Sequence, residues 1–142
     1  MNWSFAGAAL MALSLTAPPA KEPPPRYDIS LKVIEQGIVV GDHRLLATAG
    51  LPATIKSEDS SRHGWTLTVT PHPDEYRPGM IFLDCDGTFT KPLAANGTSR
   101  RRLPVTLLLH DRQRTTVNVP PIPDDRVPIV IDLEIATHSG AD

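Results

Sequence analysis

The sequence predicts an all-β protein, a single antiparallel β-sandwich of seven to eight short strands after an N-terminal leader. Three observations predict it. From Tyr27 onward apolar residues recur with period two, the period of a strand with one face buried. Fifteen prolines stand between the apolar segments, and each removes a backbone donor and fixes φ, which suits short strands and rigid connections. No stretch after the leader sustains the 3.6-residue period of an amphipathic helix.

The leader comes first. Residues 1–20 carry no charge, and Phe5 to Ala17 (FAGAALMALSLTA) is an apolar run of the length of a signal-peptide core. It is short of the roughly 20 apolar residues that a helical span of a bilayer needs. We expect a signal peptide over 1–20, a proline-rich linker over 21–26, the sandwich over 27–137 and a flexible tail over 138–142. No Lys or Arg precedes the apolar core, and prolines crowd both candidate cleavage sites, after Ala17 and after Ala20. Export to the periplasm or beyond is the expected location, and no integral membrane span is expected once the leader is removed.

The strands follow in order. Tyr27, Ile29, Leu31 and Val33 alternate with polar residues, and Gln36-Gly37 supplies a turn. Ile38 to Val40 and Leu45 to Ala49 read as one strand with a bulge near Gly41. Gly50-Leu51-Pro52 breaks the chain, and Ala53 to Lys56 resumes it. Trp65, Leu67 and Val69 alternate with threonines. Met80 to Cys85 is almost continuously apolar, the pattern of a central strand covered on both faces. Leu103 to Leu109 alternates again, His110 to Arg114 reads as a hairpin connection into Thr115 to Val119, and Val127 to Ala136 closes the domain. Thr115 to Val119, flanked by Arg114 and Pro120, is expected at a sheet edge.

Composition limits function. The 142 residues carry 14 Lys and Arg against 16 Asp and Glu, a net charge of −2, so no broad electrostatic footprint for nucleic acid exists. Seven aromatics leave the core to Val, Ile, Leu and Ala. The single Cys85 excludes an intrachain disulfide and is expected to be a buried small apolar residue.

One motif carries a chemical implication. Met80 to Thr90 reads MIFLDCDGTFT, an apolar run into Asp-x-Asp-Gly-Thr, which resembles the first motif of the haloacid dehalogenase phosphatases. That resemblance implies Asp84 as nucleophile and Asp86 as acid/base about a magnesium ion. The family's parallel sheet needs crossover helices, and the proline-interrupted chain after Thr88 has no helical pattern. Lys91 is too near to be the family's lysine, and no helix leads to Asp124-Asp125. The simpler expectation is a strand running into an Asp-Gly turn.

The remaining groups are sparse. Of the five histidines, His72 has Asp74 nearby in a proline-rich turn. Arg100-Arg101-Arg102 is expected in a solvated loop ahead of a strand, with anionic-polymer binding as the alternative. Asn96-Gly-Thr fits a glycosylation sequon. No Ser/His/Asp grouping, phosphate loop or Cys/His cluster appears, so no catalytic residue, metal site or cofactor is expected.

The segment from Arg44 to Asp86 resembles part of the core domain of bacterial secretins, the outer-membrane rings of type II and type III secretion. RLLATAGLPATIKSED matches a strand approaching a Gly turn followed by Ala53-x-Ile55, and WTLTVTPHPD matches Leu67-x-Val69-x-Pro71. The long paired hairpins of a secretin's barrel and gate are lacking. The resemblance implies a strand–turn–strand module in an envelope protein and no pore. The sequence therefore leads to a non-catalytic exported domain that binds an envelope protein or itself. Magnesium-dependent phosphatase-like chemistry and a self-associating structural subunit are the alternatives.

Overall fold

The computed structural model describes residues 23–58, 63–94 and 97–139. The expected leader, the first linker residues and Asn96 of the sequon lie outside these. Eight strands follow one another: β1 (Arg26–Glu35), β2 (Ile38–Thr48), β3 (Ala53–Glu58), β4 (Gly64–Pro73), β5 (Met80–Pro92), β6 (Thr98–His110), β7 (Arg114–Asn118) and β8 (Ile129–Thr137). They form two four-stranded antiparallel sheets, β2-β1-β8-β7 and β3-β4-β5-β6, and the all-β sandwich read from the sequence is the fold. Every hydrogen-bonded pairing joins strands adjacent in sequence except β1 with β8, which closes the meander. The chain changes sheet twice, between β2 and β3 and between β6 and β7.

The period-two residues form the core. Tyr27, Ile29, Leu31 and Val33 of β1 and Ile129, Ile131, Leu133 and Ile135 of β8 face Trp65, Leu67 and Val69 of β4 and Ile81, Leu83, Cys85 and Phe89 of β5. Each such aliphatic side chain contributes about 1.5–3 kcal/mol by leaving water. β5 runs seven residues past the Cys85 end read from the sequence, and β6 begins five residues before Leu103. β1 opens at Arg26, and His138, expected to begin the tail, donates its N–H to the Arg26 carbonyl at 2.8 Å.

Three expectations are corrected. Met80 to Cys85 does lie in an interior strand of its sheet, but only one face is covered: Ile81, Leu83 and Cys85 are buried while Asp84 is exposed. The Asp-Gly pair makes no turn, because β5 runs straight through it to Pro92. Gly87 is needed there for space, since a Cβ would stand 3.1 Å from both Leu67 and Phe89. Residues 111–113 are not a hairpin connection; β6 and β7 belong to different sheets. Arg112 takes a left-handed φ of 68° at that corner and donates its N–H to Ile135 at 2.7 Å.

Candidate functional site

The outer face of the second sheet holds the two aspartates of the phosphatase-like motif. Alternation along β5 brings Asp84 and Asp86 out on the same side, both exposed. Asp84 is bound by His72 Nε2 at 3.1 Å from β4 and by the Thr106 hydroxyl at 2.8 Å from β6. Asp86 has Arg102 at 3.6 Å. These are cross-strand pairs on an open strand surface, the kind worth a few tenths of a kcal/mol to about 1 kcal/mol each. His72 and Asp74 do not converge. Asp74 instead caps the turn after β4, accepting from the Tyr76 N–H at 2.9 Å and from Arg77 Nε at 2.6 Å. Among the described residues, no group of three or more His, Cys, Asp or Glu side chains stands where it would hold a metal ion.

The three arginines are not a loop. They lie within β6, where Arg100 and Arg102 point outward and Arg101 points into the sandwich with 1% of its surface exposed. Its guanidinium donates to the carbonyls of Val119 at 2.8 Å, Pro120 at 3.1 Å and Val127 at 2.6 Å. Buried Asp125 accepts from the Ser99 hydroxyl at 3.0 Å, from the Val127 N–H at 3.2 Å and from Lys91 Nζ at 2.7 Å. Arg101 thus anchors the proline-rich connection between β7 and β8 by satisfying the carbonyls of Val119, Pro120 and Val127. Extending the alternation of Leu103, Val105 and Leu107 back by one pair places Arg101 and Ser99 on the inner face, a signal the sequence reading passed over. Cys85 is buried as expected, and burial, reinforced by the Asp84 charge, pushes its thiol up to about 12.

The surface with the most distinctive chemistry is β2. Gln36 and Gly37 both adopt positive φ, 51° and 79°, which makes the two-residue turn that joins β1 to β2. Val33 pairs with Gly41 and Ile34 with Val39, so Val40 bulges from the ladder, one residue from the position expected. β2 is the outermost strand of its sheet and pairs with β1 alone. Among the described residues six large hydrophobic side chains are exposed, and five fall on this strand or directly after it: Ile38 (67%), Val39 (51%), Val40 (42%), Leu46 (47%) and Leu51 (59%).

The other edge strands are guarded. β7, at the edge as the sequence suggested, is five residues long and opens on Arg114, with Pro120 beyond it. β3 has six residues, an exposed Lys56 and Pro52 just before it. β6 carries Pro104 mid-strand between outward-facing Arg102 and Thr106. Short length, charge and proline are the usual means of preventing edge-to-edge pairing. The 11 residues of β2, IVVGDHRLLAT, contain neither lysine nor proline.

The inner side of β2 rests on Trp65. The His43 ring meets the indole edge-on, with centroids 5.4 Å apart and planes at 74°. Below the hairpin tip, Val33, Val40, Trp65 and Ile129 line a small recess of about 20 Å³. At its mouth Glu35 Oε2 lies 2.9 Å from His63 Nε2. The segment with the secretin-like pattern spans β2 to β5, with Ala53 and Ile55 on β3 paired against Val69 and Leu67 of β4. No protein family, curated protein or solved structure was found to match the chain.

Proposed function

We propose that this chain is a non-catalytic, exported β-domain that acts by docking, and that its docking element is the free edge of β2 with the tip of the β1–β2 hairpin. The observation that carries this reading is the concentration of exposed apolar side chains along this one edge, which is long and has no proline. Ile38, Val39, Val40 and Leu46 stand on a strand whose backbone groups lack a neighbour on one side, and Leu51 follows in the turn after it. An added strand would satisfy those groups while the apolar side chains leave water. The charge-free leader and the secretin-like segment support an envelope setting. Asp84 and Asp86 support the non-catalytic reading, since their carboxylates engage His72, Thr106 and Arg102 on an open sheet face.

Site-specific photocrosslinking in Gram-negative cells that express the full chain tests this. A photoreactive residue at Val39 is expected to give a defined adduct in the periplasmic fraction, and one at Thr70, on the outer face of the other sheet, none. Equal adducts from both positions, or none from Val39, would overturn the reading.

A further inference from the structure

The β2 edge carries a pattern that identifies its partner. Along Val40-Gly41-Asp42-His43-Arg44-Leu45-Leu46 the residues are self-complementary about His43. Asp42 and Arg44 flank the centre with opposite charge, and exposed apolar residues, Val40 and Leu46, stand at the two ends. Asp42 and Arg44 both face outward, exposed, on the solvent side of the sheet.

We propose that β2 pairs with β2 of a second copy of this chain, antiparallel and centred on His43. This rests on β2 being the docking edge. An antiparallel two-fold contact places each residue opposite its mirror position about the centre. Asp42 of one copy then stands across from Arg44 of the other, twice over, and directly opposed charges of unlike sign stabilise a cross-strand pair. Leu46 of one copy meets Val39 and Val40 of the other, where the bulge brings two apolar residues to one position. The two four-stranded sheets join into one continuous eight-stranded sheet, β7-β8-β1-β2 followed by its symmetry mate. Its new outer edges are both β7, the short strand with Arg114 and Pro120. The edges left open after pairing are therefore guarded ones, so the assembly stops at two copies.

His43 does not obstruct the contact. Its ring is turned inward against Trp65, and the axis passes its backbone. Arg44 Nε donates to Ser30 Oγ on β1 at 3.4 Å, on the solvent face of the sheet, and the guanidinium swings from β1 to the free edge to meet the facing Asp42.

The test is sedimentation velocity on the full chain as purified from cells, across a wide range of concentration. The wild-type chain is expected to be a dimer. Asp42→Arg and Arg44→Asp each place like charges opposite one another at both symmetry-related positions and are expected to weaken association at least about ten-fold. An equimolar mixture of the two variants restores opposite charges at both positions and is expected to dimerise like wild type, as is the double variant D42R/R44D. No non-specific aggregation, including one through the apolar leader, predicts rescue by mixing, and rescue also shows that each single variant folds. A monomeric wild-type chain, or single variants that dimerise unchanged, overturns self-pairing. If self-pairing fails while Val39 still crosslinks to a different protein, the docking reading stands; if Val39 yields no adduct, both fall.

Discussion

Gly41 lies against the six-membered ring of Trp65 so closely that a β-carbon there would overlap Cζ2, with Cε2 3.2 Å away. The contact ties the edge strand β2 to the opposite sheet. Gly41→Ala forces either the indole or the strand to move. Overpacking of this kind costs about 1–3 kcal/mol. Urea unfolding followed by tryptophan fluorescence is expected to show that loss together with altered near-ultraviolet dichroism. Full wild-type stability in Gly41→Ala would mean that Trp65 has room the structure does not show.

Arg101 is expected to be the most sensitive polar residue of the domain. Arg101→Met deletes three hydrogen bonds to the carbonyls of Val119, Pro120 and Val127 and removes a cation 3.5 Å from buried Asp125. Breaking a buried charged network by removing one member costs about 3 kcal/mol or more. Arg101→Lys is expected to recover little, because an ammonium lacks the planar fork that reaches three acceptors at once. Chemical denaturation compares the two, and equal stability of Arg101→Lys and wild type would contradict the anchoring role.

Acid is expected to loosen the same connection. Burial alone would raise the Asp125 carboxyl, but the Lys91 ammonium, the Val127 N–H and the Ser99 hydroxyl outweigh it and hold the group below the ordinary carboxylate range. A carboxyl that titrates lower in the folded chain than in the unfolded chain stabilises fully above the unfolded value. That contribution is lost as pH falls through the folded value. The urea midpoint is therefore expected to be flat near neutrality and to fall below about pH 4, where unfolded carboxylates begin to take up protons. Asp74, lowered chiefly by the Tyr76 N–H, acts in the same direction. Asp125→Asn is expected to be less stable at neutral pH with a shallower acid fall, and an unchanged slope would refute the assignment.

Cys85 is expected to be inert while the domain is folded. Its thiol is buried and pushed up to about 12, so little thiolate exists at pH 8. Iodoacetamide labelling should be slow in buffer and complete in urea. Rapid stoichiometric labelling of the folded chain would show that the strand opens there.

The strands were legible where one face is apolar and the other polar, because a two-residue period leaves no other way to bury Ile29, Leu31 and Val33 together. Legibility ended where polar residues occupy the inner face. Ser99 and Arg101 look like loop residues until the connection that brings Val119, Val127 and Asp125 to them is known, and that contact spans 18 to 26 positions in sequence. The Asp-Gly pair misled for a related reason: Gly87 reads as a turn, yet it serves space beside Leu67 and Phe89. The β2 edge was hidden because an exposed Val39 and a buried one look alike in a sequence. Strand order decides between them, and it depends on β8 returning to β1.

That return sets the order of events as the chain is made. β2 to β7 pair only with strands next to them in sequence, but β1 keeps one side open until β8 has been made. Tyr27, Ile29, Leu31 and Val33 stay partly wet until then. The nascent chain therefore cannot complete its core before its final strand emerges, which leaves a long interval in which it remains threadable.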